Sequence, residues 1–197
     1  MNKAVFTTLK IENSKPKWLE DHVARILSGA RLFKVDLDKN EIISAVEEAL
    51  NNSKIQEARM RIILHENGDL KTTIEPFTDL EKPIKLKLKE IDFPQGEHKV
   101  WPHRSHTEIE GEEVVLIEKS TGFVLEGSYT NIFVKTDDGY LTPPADGKIL
   151  AGIGRKHFIE ELKDKGEIVK EVWFKQDLLK NNEVLLTNAL RGVIKTI

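Results

Sequence analysis

Hydrophobic positions change period several times along the chain, and each change marks an element. Val5 to Ile11 (VFTTLKI) is a β-branched run that stops at Glu12-Asn13-Ser14-Lys15-Pro16, so a strand leading into a hairpin is expected. From Leu19 the apolar residues Val23, Ile26, Leu27 and Ala30 recur at helical spacing. Ile42, Ile43, Val46 and Leu50 do so again from about Lys39 onward, which predicts two helices. Ala58 to Leu64 (ARMRIIL) and Leu70 to Pro76 read as strands around the turn sequence Glu66-Asn67-Gly68-Asp69. Ile84 to Leu88 (IKLKL) alternates apolar residues with Lys and closes a first lobe, assigned to residues 1–91. Asp92 to Glu97 carries Pro94 and Gly96, which places an interlobe linker at 92–98 and a larger second lobe at 99–197.

In that second lobe the apolar runs are shorter. Val114 to Ile117, Thr130 to Lys135 and Tyr140 to Thr142 predict strands separated by Gly-containing turns. Gly152 to Leu162 predicts a helix, Ile168 to Phe174 a strand, and Gln176 to Lys180 a helical turn. Glu183 to Thr187 and Gly192 to Ile197 supply two last strands. Strands and helices mixed in this way define an α/β (α+β) class with a β core in the second lobe.

Composition removes several function classes. With 30 basic and 33 acidic residues intermixed among 197, the chain carries no basic stripe suited to nucleic acid. Cys is absent, so disulfides, thiolate metal sites and a thiol nucleophile are excluded together. The opening residues lack the apolar segment and cleavage site of a secretory signal, and no run is long enough to span a bilayer, so a cytoplasmic protein without membrane contact is expected. His98, His103 and His106 with Glu108 lie close enough in sequence to suggest a metal site, but histidines in a polar loop are usually solvated, and no metal is assigned.

The stretch richest in chemistry is Val124-Leu125-Glu126-Gly127-Ser128-Tyr129-Thr130-Asn131-Ile132-Phe133, followed by Leu141-Thr142-Pro143-Pro144 and Ile149-Leu150-Ala151-Gly152-Ile153-Gly154-Arg155. An acidic residue, an Asn-Ile-Phe strand, a Thr-Pro-Pro turn and a Gly-Ile-Gly-Arg helix start follow in register. This succession resembles the signature of the class IV aminotransferases, the fold-type-IV enzymes dependent on pyridoxal 5'-phosphate. Phe6-Thr7-Thr8-Leu9 with Leu19, His22 and Arg25 resembles the family's opening strand and helix. Leu186-Thr187-Asn188-Ala189-Leu190-Arg191-Gly192 resembles the C-terminal segment of aminodeoxychorismate lyases.

The resemblance implies a D-amino-acid-aminotransferase-like fold, a barrel-like sheet in the C-terminal lobe, the cofactor in the cleft between lobes, and a homodimer. It also implies roles. Lys99 corresponds to the lysine that holds the cofactor aldehyde as a Schiff base and later moves a proton, although Arg104 stands one residue further from it than in related proteins. Glu126 corresponds to the acid facing the pyridine nitrogen, whose charge keeps that nitrogen protonated. Ile153 and Gly154 open a helix whose free N–H groups suit a phosphate, with Gly154 standing where the family usually has Thr or Ser. Thr187 and Asn188 correspond to a second phosphate-contacting loop and Arg61 to a basic residue reaching the phosphate, with Arg59 assigned to the opposite face.

Two activities share this machinery. Phe6-Thr7-Thr8, where transaminases more often carry Phe-Glu, and the Thr187 to Gly192 segment lean toward 4-amino-4-deoxychorismate lyase, which eliminates pyruvate to give 4-aminobenzoate for folate synthesis. The alternatives are a D-amino-acid or branched-chain aminotransferase and, less favoured, a member that retains the fold without chemistry.

Overall fold

A computed structural model describes residues 3–53, 55–79, 83–92, 96, 99–101 and 112–197. In chain order the elements of the first half are β1 (Ala4–Glu12), β2 (Lys15–Pro16), α1 (Leu19–Phe33), α2 (Lys39–Asn51), β3 (Ala58–His65), β4 (Leu70–Pro76), β5 (Lys85–Ile91) and β6 (Val100–Trp101). The second half contributes β7 (Glu112–Glu118), β8 (Val124–Gly127), β9 (Asn131–Thr136), β10 (Gly139–Thr142), α3 (Ile153–Asp164), β11 (Val169–Glu171), α4 (Asp177–Asn181), β12 (Glu183–Asn188) and β13 (Gly192–Lys195). The chain divides into two compact units, Met1–Asp79 with His98–Ser105, and Leu80–Glu97 with His106–Ile197.

The first unit is an antiparallel sheet in the order β2-β1-β3-β4, with β6 on the free edge of β1. Asn13 and Ser14 both adopt left-handed backbone (φ 51° and 62°), the geometry of a tight hairpin turn whose twist matches that of the strands it joins. One face of the sheet buries Val5, Leu9, Ile11, Ala58, Met60, Ile62 and Leu64 against Val23, Ile26 and Ala30 of α1 and Ile42 and Val46 of α2. Each large apolar side chain removed from water there contributes about 1.5–3 kcal/mol. Both helices are bounded by local chemistry. Asp38 and Glu41 form a reciprocal capping box at the start of α2. Lys34, in left-handed conformation, closes α1 by donating its N–H to the carbonyls of Ala30 and Arg31.

The second unit holds a sheet in the order β11-β10-β9-β12-β13 and another in the order β5-β7-β8. They meet at two edges. Ile84 donates its N–H to Lys195 and accepts from Ile197, both at 3.1 Å, which joins the strand leading into β5 to β13. At the other edge, β8 turns into β9 with Gly127 N–H donating to the Thr130 carbonyl at 2.8 Å. The result is a barrel-like enclosure around Ile84, Val115, Ile117, Val124, Ile132, Val134, Val184, Leu186 and Ile194. Period-two alternation points Phe133 the other way, edge-on to Phe158 of α3 at 4.9 Å between ring centres, so α3 packs on the outside of the sheet.

Three expectations change. β5 pairs in parallel with β7, from Lys85 opposite Glu112 to Ile91 opposite Glu118, and so belongs to the second unit rather than closing the first. Lys99 belongs to the first unit, because the segment after it pairs with β1; the division therefore falls at 79/80 and again at the 98–105 excursion, not at a single linker over 92–98. Alternation shows that a strand has two unlike faces but not which strand it joins. Finally, the strand predicted for Ile168–Phe174 ends at Glu171, and β8, four residues buried on both faces, offers no alternation by which to predict it. Of the expected linker, Asp92 and Gly96 are described; His98, His103, Arg104, His106 and Glu108 lie outside the described residues. No helix among the described residues is long and apolar enough to cross a membrane.

Candidate active site

In the first unit the face of the sheet turned away from the helices carries the candidate groups. Val5 pairs with Val100, and one step on, Phe6 N–H donates to the Lys99 carbonyl at 3.1 Å. This places the Lys99 ammonium nitrogen 4.8 Å from the centre of the Phe6 ring. The Arg61 guanidinium carbon lies 5.4 Å from the same centre. Two cations thus share one aromatic ring, whose quadrupole offsets part of their repulsion. Thr8 stands opposite Arg61 in the register, on that face, whereas Thr7 points into the core, where its hydroxyl lies 2.6 Å from Nδ1 of buried His22. Arg59, two residues from Arg61, shares its face rather than the opposite one, and its guanidinium pairs with Glu75.

In the second unit Glu126 is the penultimate residue of β8, with 6% of its surface accessible. Its Oε2 accepts the Leu150 N–H at 3.1 Å and lies 3.5 Å from Asn131 Nδ2, which itself donates to the Leu150 carbonyl at 3.0 Å. The Leu150 backbone is presented by a loop that Lys148 ties to β7 through Glu118, with both contacts at 2.9 Å. The Thr121 hydroxyl, first, and the Lys148 ammonium hold the Glu118 carboxyl below the usual carboxylate range.

The helix start expected for an anion is also present. α3 begins at Ile153 with Gly152 as its N-cap and no side-chain cap, so its first N–H groups have no acceptor from within the helix. A side chain at Gly152 would strike Asn131 Oδ1 at 1.8 Å, and one at Gly154 would strike the Asn188 carbonyl carbon at 2.4 Å. The helix start therefore lies directly on the end of β12. There the Thr187 hydroxyl is buried and has no hydrogen-bond partner among the described residues. A buried orphan hydroxyl and an uncapped helix start on adjoining elements fit a phosphate. Asn188 serves differently: its side-chain oxygen accepts N–H bonds from Leu190 and Arg191 at 3.0 and 2.8 Å, so it builds its own turn. Arg155 secures α3 by donating to the Pro143 carbonyl at 2.8 Å and to Glu171 at 2.6 Å.

One residue of this region escaped sequence reasoning. Glu113 on β7 is fully buried, and its carboxylate accepts the Ser128 N–H at 2.7 Å, the Ser128 hydroxyl at 2.6 Å and the Thr130 hydroxyl at 2.8 Å. Burial pushes its carboxyl above the usual range, against the pull of those hydrogen bonds. The only signal was an acid followed by the wholly apolar run Val114–Ile117, and Glu112 beside it gives the same signal.

With the geometry in place, the comparisons define the class. The model of the family "Amino-transferase class IV" matches residues 4–196, and the chain belongs to that family, whose cofactor is pyridoxal phosphate. It is similar to the "Probable branched-chain-amino-acid aminotransferase" of Thermotoga maritima, 26% identical over 207 residues, 97% of this chain and 75% of that protein. It is also similar to the "Aminodeoxychorismate lyase" of Bacillus subtilis, 24% identical over 220 residues, 96% of this chain and 75% of that protein. Among solved structures, "a hypothetical aminotransferase from Mycobacterium tuberculosis" in a form with α-ketoglutarate and PMP bound superposes with a TM-score of 0.86, at 20% identity, over 98% of this chain and 80% of that one. These likenesses bear out the fold-type-IV assignment and the cofactor.

Proposed function

We propose that this enzyme is a 4-amino-4-deoxychorismate lyase, releasing pyruvate and 4-aminobenzoate for folate synthesis. When bound, pyridoxal phosphate supplies an electron sink. In this reading Lys99 would hold it through its aldehyde and, once the substrate amine displaces it, move the proton at the substrate carbon that bears nitrogen. The Glu126 carboxylate, oriented by Leu150 and neighboured by Asn131, holds a proton on the ring nitrogen. Ile153, Gly154 and Thr187 bind the phosphate, with Arg61 as a further cation and Asn188 shaping the loop. The carbon–oxygen bond to the enolpyruvyl group breaks, the ring becomes aromatic, and the departing enol takes a proton to become pyruvate.

The observation that supports the lyase reading is the Phe6-Thr7-Thr8 stretch, where transaminases of the family more often carry Phe-Glu: Phe6 and Thr8 stand on the face of Lys99 and Arg61, and Thr7, at the position of that Glu, bonds His22 in the core instead. The Bacillus subtilis relative supports it. An amino-acid aminotransferase, of branched-chain or D-amino-acid type, is the second reading, favoured by the Thermotoga maritima relative. The proposal extends to a cytoplasmic homodimer.

Incubation with aminodeoxychorismate separates the two. The lyase releases 4-aminobenzoate and pyruvate in equal amounts with no keto acid added, because the cofactor ends each cycle as the aldehyde. Conversion of the bound cofactor to its amine form by leucine, glutamate or D-alanine alone, with no 4-aminobenzoate formed, would overturn it in favour of the aminotransferase.

A further inference from the structure

We propose that Glu113 is the positioning residue for the Glu126 carboxylate. This rests on the assignment of Glu126 to the cofactor ring made above. Three donors that Glu113 accepts lie on the turn Gly127-Ser128-Tyr129-Thr130, which leads from β8, whose penultimate residue is Glu126, to Asn131 at the start of β9. Both ends of the turn enter the cluster around Leu150: Glu126 Oε2 takes its N–H, and Asn131 Nδ2 donates to its carbonyl.

The turn is seated directly on the Glu113 carboxylate. A Cβ at Gly127 would stand 2.2 Å from Thr130 Oγ1 and 2.7 Å from Glu113 Cδ, so no side chain fits between them. Ser128 N–H is shared between Glu113 Oε1 and the Val114 carbonyl at 2.9 Å, which fixes the turn against β7 as well. Water cannot replace these contacts at a side chain with no accessible surface. A buried acid costs stability that an apolar residue of the same size would not. What it supplies in return is two acceptor oxygens at fixed positions, and the Ser128 and Thr130 donors they receive belong to the segment that sets the direction of Glu126. Glu113 thus acts through Glu126 and touches neither substrate nor cofactor.

The test compares Glu113→Ala, Glu113→Gln and Glu126→Gln in the holoenzyme, with Ile42→Ala as a control that removes a buried side chain from the first unit. The readouts are the absorbance spectrum of bound pyridoxal phosphate, its dissociation constant, and kcat. Glu126→Gln should change the spectrum and lower kcat. Glu113→Ala should change the spectrum in the same direction and lower kcat by roughly tenfold or more, as expected when a catalytic group is displaced by a fraction of an ångström. Glu113→Gln should restore both, because its amide keeps an acceptor for Ser128 and gives a donor to the Thr130 hydroxyl. Ile42→Ala should leave the spectrum unchanged at a temperature where it is folded. Should Glu113→Ala not fold, Ser128→Ala, which removes one donor, must show a smaller spectral change of the same sign. A wild-type spectrum and kcat in Glu113→Ala, or in Ser128→Ala if that variant stands in for it, beside an altered Glu126→Gln, would overturn the role of Glu113 and leave Glu126 in place. A silent Glu126→Gln would overturn both.

Discussion

Replacing Gly154 by Ala tests how closely α3 lies on the end of β12. The added Cβ would stand 2.4 Å from the Asn188 carbonyl carbon, 2.5 Å from its oxygen and 2.9 Å from its Cα. Carbon atoms in contact rest at about 3.5 Å, so the two backbones must separate by roughly 1 Å. Neither moves cheaply. Asn188 is paired with Gly192 in the sheet and holds its own turn through Oδ1, while α3 is held by Phe158 on Phe133 and by Arg155 on Pro143. Ala gains up to about 1 kcal/mol over Gly inside a helix, and less in a first turn. Overpacking costs about 1–3 kcal/mol, and the obstacle here is backbone, so the net loss should be roughly 1–2 kcal/mol. For a chain of this size that lowers Tm by about 2–8 °C. The same separation draws the helix N–H groups away from Thr187, and losing one hydrogen bond to a charged phosphate weakens cofactor binding by about tenfold or more. Calorimetry of the apoprotein and titration with pyridoxal phosphate measure the two effects. Gly154→Thr, the residue type more usual in the family, should be the worse of the two in Tm. An apoprotein Tm at or above wild type with unchanged cofactor affinity would refute the reasoning.

Borohydride reduction of the holoenzyme followed by peptide mapping should find the pyridoxyl group on Lys99; a label on Lys89 or Lys119 would reject that assignment. Glu113 keeps its proton to higher pH when folded than when unfolded, so its contribution is fully present below the ordinary carboxylate pKa and is lost as pH rises toward the raised one. The stability of wild type relative to Glu113→Gln should therefore fall as pH rises above the ordinary carboxylate pKa in denaturant titrations, and a rise would contradict the burial argument. Glu118 has the opposite sign: its lowered carboxyl contributes stability above the ordinary pKa that is lost as pH falls, so wild type should lose stability relative to Glu118→Gln on acidification. Light scattering should give twice the 22.5 kDa chain mass, and a fully active monomer would rule out the homodimer.

What was legible in the sequence was local. Val5–Ile11, the two helical periodicities and the β3–β4 hairpin each lie within one continuous stretch, and the structure forms them at nearly the expected bounds. The four blocks from Glu126 to Arg155 were legible through their succession in register, which resembles the family's, and not through their contacts, since Asn131 with Leu150, Thr142 with Ile132 and Arg155 with Pro143 meet across 19, 10 and 12 residues. What was not legible depends on pairing at a distance. The alternation of Ile84–Leu88 is the same whether its partner is β4 or β7. Glu113 is set apart from Glu112 by its full burial and by meeting Ser128 and Thr130, 15 and 17 residues further on, whereas Glu112 pairs with Lys87.

The pair Thr7-Thr8 shows what register adds to resemblance. Read along the chain, the two threonines form one stretch after Phe6, with Thr7 at the position where transaminases more often carry Glu. Adjacent strand residues face opposite ways, so at most one of them can meet a ligand on a given face. The pairing of β1 with β3 decides which: Thr7 joins Ile62 in the core and reaches His22, while Thr8 joins Arg61 on the face that holds Phe6 and Lys99. Any direct discrimination between substrates on that face therefore falls to Thr8. Thr7 can influence it only through the packing of α1 against β1.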